Sequence, residues 1–133
     1  MSRFSKTINM VVSYRLPVII YCIMIFWQSS LPSIISGPSF PWEDKILHFL
    51  GYAFLSLLCA RDLAFEKPFW SASKIQVLAI VFSALYGLSD EIHQTFVPAR
   101  TGSVFDFLAD FSGSITGSAA YIKFLIHTGR RTI

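Results

Sequence analysis

Tyr86-Gly-Leu-Ser-Asp-Glu-Ile-His-Gln-Thr-Phe-Val-Pro-Ala-Arg100 continues as Thr-Gly-Ser-Val-Phe-Asp-Phe-Leu-Ala-Asp110. This one stretch holds Asp90, Glu91, His93, Gln94, Arg100, Asp106 and Asp110. Apolar runs flank it, Ile75 to Leu88 before and Phe111 to Ile126 after. Ionisable residues at a seam between two apolar runs need a physical reason, and finding it decides both fold and function.

Composition narrows the choice. The chain has 133 residues, enough for one domain over 1–133. It is 53% hydrophobic and 14% charged, with a mean hydropathy of +0.56. Soluble domains carry about 25% charged residues, and a core this apolar would leave too little polar surface to cover it. A membrane protein is expected. The net charge of +3 is modest and gives no basis for a nucleic-acid partner. Cys22 and Cys59 both lie in apolar runs and suggest neither a disulfide framework nor a metal pair.

Outward from the seam, the chain divides into four apolar spans, at about 12–31, 44–60, 74–94 and 104–126. A cleaved leader is the rival account of the first, although no A-x-A site follows Trp27. Gly37 with Pro32, Pro38 and Pro41 makes one loop, and Pro98 with Gly102 marks a tight turn. Arg61 to Ser73 reads as a polar link. Arg3, Lys6, Arg15, Arg61, Lys67, Lys74, Arg130 and Arg131 fall on one side, and Lys45 and Arg100 on the other. The positive-inside rule then places both termini in the cytoplasm. The expected fold is an all-α, four-helix transmembrane bundle, up-down-up-down, in the cell's inner (plasma) membrane.

Span length explains the charges. Ile75 to Leu88 makes roughly 21 Å of helix at 1.5 Å per residue, against a hydrocarbon core of about 30 Å. The third helix must therefore take in Asp90, Glu91 and Gln94, the second Asp44, Lys45 and His48, and the fourth Asp106 and Asp110. All fall at one depth, in the outer part of the bilayer. Helical spacing then gathers them on faces. The second helix offers Asp44, His48, Gly51 and Leu55, edged by Lys45 and Tyr52. The third offers Ser83, Gly87, Asp90 and Gln94, flanked by Tyr86 and Glu91. The fourth offers Ser103, Asp106, Asp110, Gly113 and Gly117, and Gly113-x-x-x-Gly117 permits close approach to a neighbour. One polar pocket, open outward, is expected between helices two, three and four. Central charges cost about 2.5–3.5 kcal/mol each on insertion scales. Lys45 and Arg100 offset two of the five acids, so protons, a divalent cation or a positively charged ligand group must balance the rest.

The same residues carry a resemblance. Asp44-Lys45-x-x-His48 is similar to the D-K-x-x-H motif of the VanZ-like membrane proteins. Asp90-Glu91-x-x-Gln94-x-Phe96-x-Pro98-x-Arg100 resembles their D-E-x-x-Q…R segment. Ser103-x-x-Asp106-x-x-x-Asp110-x-x-Gly113 resembles their S-x-x-D-x-x-x-N-x-x-G, with Asp110 in place of the usual Asn. Ser29-Ser30-x-Pro32 matches a weaker motif at the end of the first helix. The resemblance implies a small helical protein of the cell envelope, in a family whose founding member is linked to resistance to the glycopeptide antibiotic teicoplanin.

Three roles for these side chains stay open. In a binding module, Lys45 and Arg100 take the anionic part of an envelope lipid or amphiphile headgroup. Tyr52, Asp90, Gln94, Ser103, Asp106 and Asp110 complete that pocket. In an enzyme, His48 is a general base oriented by Asp44, with Glu91 transferring protons, or a divalent cation sits among Asp90, Glu91, Asp106 and His48. In a structural protein, ion pairs such as Arg100 with Asp106 or Glu91 only fix helix register. Ser103 lacks a strained G-x-S-x-G turn and is not expected to be a nucleophile.

Overall fold

Apolar sequence of this length, with few helix breakers inside each run, satisfies its backbone polar groups internally only as helix or closed barrel. The computed structural model takes the helical route. It describes residues 3–32, 40 and 42–130. The loop assigned to Gly37, Pro38 and Pro41, the side chains of Arg3 and Lys6, and the terminal Arg131 lie outside the described residues.

The first rod comprises α1 (Arg3–Met10), a π-helical turn (Val11–Arg15) and α2 (Leu16–Ser30). Pro17 sits at the start of α2. Its missing N–H leaves a carbonyl one turn back without an ordinary donor, and the wider π turn falls at that place. Then follow α3 (Glu43–Glu66), α4 (Ala72–Gln94) and α5 (Val104–His127), with no strand among the described residues. Ser71 caps α4 by accepting from the Lys74 N–H at 3.3 Å, and Ser103 caps α5 by accepting from the Asp106 N–H at 3.4 Å. Ala99 turns the chain between them at φ 61°.

Three helical stretches, Thr7–Ser30, Glu43–Glu66 and Ala72–Gln94, are long and apolar enough to cross a membrane. α5 is as long at 24 residues but more polar along Ser112, Ser114, Thr116 and Ser118. The helices overrun the expected spans at several ends. The first is helical from Arg3, and α5 runs to His127. α3 continues into the first half of the expected polar link, to Glu66, where Asp62 and Glu66, one turn apart, both meet Arg15. The guanidinium lies 3.5 Å from Asp62 and donates to Glu66. Beside them, Arg61 lies over the Tyr14 ring, which stacks on Phe65.

The packing is that of a lipid-facing bundle. Ile23, Trp27, Leu47, Leu85 and Phe105 point outward, exposed, while Ser29, Ser56, Ser83, Ser114 and Ser118 are fully buried. Small residues inside let helices approach where lipid supplies no hydrophobic drive between them. Tyr52, Leu55, Cys59, Ile75, Ala79, Ile122 and Leu125 form the apolar core. The closest approach sets α5 against α3: a Cβ on Gly113 would strike the Phe49 carbonyl oxygen, and one on Gly117 the Ala53 carbonyl oxygen. Both obstacles are backbone and cannot rotate away.

Gly117→Ala should therefore lower stability by about 1–3 kcal/mol, as overpacking does. Gly51→Ala, whose added Cβ meets nothing nearer than the Tyr21 hydroxyl at 3.8 Å, should leave it unchanged. Thermal unfolding of both variants in detergent checks the contrast.

Candidate functional site

The parallel contact of α3 with α5 decides which side chains meet. Phe49 is held at Gly113, so His48, just before it, lies beside Asp110, one turn before Gly113. Asp110 Oδ1 is 2.9 Å from His48 Nδ1. α4 runs antiparallel and brings its C-terminal turn to the same end, where Glu91 Oε1 is 3.6 Å from His48 Nδ1. The opposite ring nitrogen, Nε2, is 3.9 Å from Asp44 Oδ1. The sequence pairs His48 with Asp44, one turn away. The fold instead gives the hydrogen-bond distance to Asp110, on another helix.

Every carboxylate from the two central motifs is buried. Asp90, Glu91, Asp106 and Asp110 all have under a tenth of their surface exposed, and Asp110 none. Each has an assigned neighbour. Asp106 takes the Lys45 ammonium, which also lies 3.2 Å from Asp44. Asp90 Oδ2 accepts from Gln94 Nε2 at 3.2 Å. Glu91 Oε2 accepts from the Ser103 N–H at 2.8 Å, so the residue that caps α5 also fixes the acid of α4. Exposure rises at one rim, where the Asp44 side chain is 55% exposed and that of Lys45 30%. Solvent or a ligand therefore meets Asp44 and Lys45 first, with His48 behind them.

Not all the hydrogen-bonding capacity is used. Glu91 Oε1, Asp106 Oδ1, Asp110 Oδ2 and the Tyr52 hydroxyl are buried without a hydrogen-bond donor or acceptor; Asp106 Oδ1 has only the ion pair to Lys45. Gly87 makes room for two of these residues, because a Cβ there would lie 2.9 Å from Asp110 Oδ2 and 3.2 Å from the Tyr52 ring. Its position one turn before Asp90, on the polar face, is the sequence signal for that role. Gly102 acts similarly at the turn, since a Cβ there would press within 2.6 Å of the Glu91 carbonyl oxygen.

Arg100 goes elsewhere. Its Nε donates to the Leu31 carbonyl at 3.0 Å and its Nη2 to the Gln28 carbonyl at 3.2 Å. Among the described residues it has no carboxylate partner. It adds a charged donor to the carbonyls that end α2, where the Gln28 oxygen also accepts from the Leu31 N–H at 3.3 Å. His93 also faces α2, with Nε2 3.0 Å from Ser30 Oγ and its ring against Phe26. Of the residues singled out from sequence, the fold brings together Asp44, Lys45, His48, Tyr52, Asp90, Glu91, Gln94, Ser103, Asp106 and Asp110, and sets Arg100 and His93 at the α2 seam.

Two clusters of ligand-type atoms result, Asp44–His48–Asp106 and His48–Glu91–Asp110, each with its atoms within 4.8 Å of one another. An apolar cleft of about 480 Å³ lies apart from both, lined by Val18, Cys22, Phe26, Phe82 and Tyr86 between α2 and α4.

Against known proteins, a family model described as VanZ/LLP1 matches residues 4–127. No curated protein and no solved structure matches the chain.

The two rim residues, Lys45 and Asp44, can be told apart by stability. Lys45→Met leaves buried Asp106 without its ammonium and should cost about 3 kcal/mol. Asp44→Asn, at the exposed rim, should cost under about 1 kcal/mol. Chemical unfolding in detergent measures both.

Proposed function

From its membership of the VanZ/LLP1 family and its buried acid–histidine cluster, we propose that this chain binds the polar head of an envelope lipid or amphiphile in the membrane. The observation that carries this is the cluster at one end of α3, α4 and α5, with Asp44 and Lys45 at its exposed rim. Burying four acids near one lysine and one histidine is costly unless a bound partner or a chemical task repays it. The headgroup's anionic part would meet Lys45. Its hydroxyl or amine groups would meet the acids, and its tail would stay in lipid. The chain would cross the inner membrane four times with both termini cytoplasmic, which puts the cluster at the outer leaflet. Arg100, occupied by the α2 carbonyls, would hold the helix end rather than the ligand. The link to glycopeptide resistance then corresponds to handling an envelope amphiphile.

A second proposal, acid–base chemistry on the same headgroup, is favoured by one feature. His48 offers Nδ1 to a fully buried carboxylate and turns Nε2 toward the rim, as a general base held by an orienting acid would.

Native mass spectrometry of protein purified in mild detergent tests the binding proposal. A bound amphiphile is expected on the wild type and on Arg100→Ala, lost in Lys45→Gln and regained in Lys45→Arg. A wild type free of amphiphile, or a Lys45→Gln protein that keeps it, would end the proposal.

A further inference from the structure

We infer that His48, Glu91 and Asp110 form a divalent-cation site, with Asp44 as the outer partner of the histidine. The inference rests on taking this cluster as functional and names a cofactor for it.

The three ligand atoms come from three helices and lie within 4.8 Å of one another. His48 Nδ1 is 2.9 Å from Asp110 Oδ1 and 3.6 Å from Glu91 Oε1. Two donors about 2.0 Å from a tetrahedral metal are about 3.3 Å apart, a value these two distances bracket. A second, independent observation points to a ligand. Glu91 Oε1 and Asp110 Oδ2 are buried without a hydrogen-bond partner, on residues that are 5% and 0% exposed. A histidine proton on Nδ1 serves only one of these carboxylates. A cation would serve both, and would balance two charges that the single Lys45 ammonium, committed to Asp106, does not.

The surroundings match what a bound metal needs around its ligands. Glu91 is aimed by the Ser103 N–H on its other oxygen. With Nδ1 on the metal, the ring's other nitrogen would carry the proton and face the Asp44 carboxylate, now 3.9 Å away; an approach of about 1 Å would make the hydrogen bond of a carboxylate–histidine–metal arrangement. The Tyr52 hydroxyl, a further buried polar group without a partner, sits on a ring that shares the wall at Gly87 with Asp110. The alternative cluster, Asp44–His48–Asp106, contains the acid that holds Lys45, and an ammonium there opposes a second cation. One imidazole and two carboxylates suit Mn²⁺ or Zn²⁺ better than Ca²⁺, which takes six to eight oxygens.

The test uses full-length protein in mild detergent, stripped with chelator and titrated with Mn²⁺, bound ion being counted by electron paramagnetic resonance. About one Mn²⁺ per chain is expected, competed by Zn²⁺. The isosteric variants Glu91→Gln and Asp110→Asn should each weaken binding at least about tenfold, and Asp44→Asn by about 10–100-fold. Lys45→Gln should bind as tightly or tighter. A wild type that takes up no stoichiometric Mn²⁺ or Zn²⁺ overturns the site, whether or not the variants fold. So does an Asp110→Asn protein that binds as the wild type does. Mass spectra of the same samples separate this from the headgroup proposal: amphiphile without metal removes the cation site alone, and metal without amphiphile supports the site while removing the headgroup.

Discussion

The backbone contact of α5 with α3 fixes everything at the polar end of this protein. Gly113 and Gly117 rest on the carbonyls of Phe49 and Ala53, so the parallel helices have one register and essentially one separation. That register sets Asp110 beside His48. A shift of a single residue would turn Asp110 by about 100° around α5 and leave a fully buried acid against apolar side chains. The glycines and the acid–histidine pair are thus one feature: the first makes the second geometrically possible, and the second makes any other register electrostatically expensive.

α4 completes the arrangement by a different device. It lies antiparallel, and its last turn delivers Asp90, Glu91 and Gln94 to the level where α3 and α5 begin. The turn that follows, with Ala99 at positive φ and Gly102 pressed against the Glu91 carbonyl, is short enough for Ser103 to donate back to Glu91. The cap of one helix therefore orients the acid of the helix before it. Close spacing of the two motifs in sequence follows from this, because a longer turn would separate the Ser103 N–H from the carboxylate it fixes.

Much of this was legible in the residues. Span lengths too short for a bilayer forced the charges into the helices, and the 3.6-residue period placed Asp106, Asp110, Gly113 and Gly117 on one face. What periodicity cannot provide is the relative rotation of two helices. It identified His48 and Asp44 as neighbours because they share a helix. The Asp110 contact is set by a neighbouring backbone that no local pattern encodes. Arg100 shows the same limit. Its charge suggested an acid or an anionic ligand, but its partners are carbonyls at the end of α2, and those carry no sequence signature. The extension of α3 to Glu66 was equally hidden, since Asp62 and Glu66 look like link residues until Arg15 is placed beside them.

The first rod stands apart from this unit. Only 6% of its most apolar window is buried, against 33% in each of α3 and α4. Its polar ties include Arg15 on Asp62 and Glu66, midway along it, and Arg100 with the Ser30–His93 contact at its C-terminal end. In between, the Tyr86 hydroxyl reaches the Cys22 carbonyl beside the apolar cleft. These ties bracket α2 and resist its sliding and tilting, while the apolar stretch between them packs about as well against lipid tails as against protein. The consequence is a division of labour by polarity. Three helices enclose the acid–histidine cluster, and the first rod contributes none of its members among the described residues. Occupancy of the cleft by a lipid tail would then leave the acid–histidine cluster undisturbed, because no side chain lining the cleft is among those that hold His48, Glu91 or Asp110 in place.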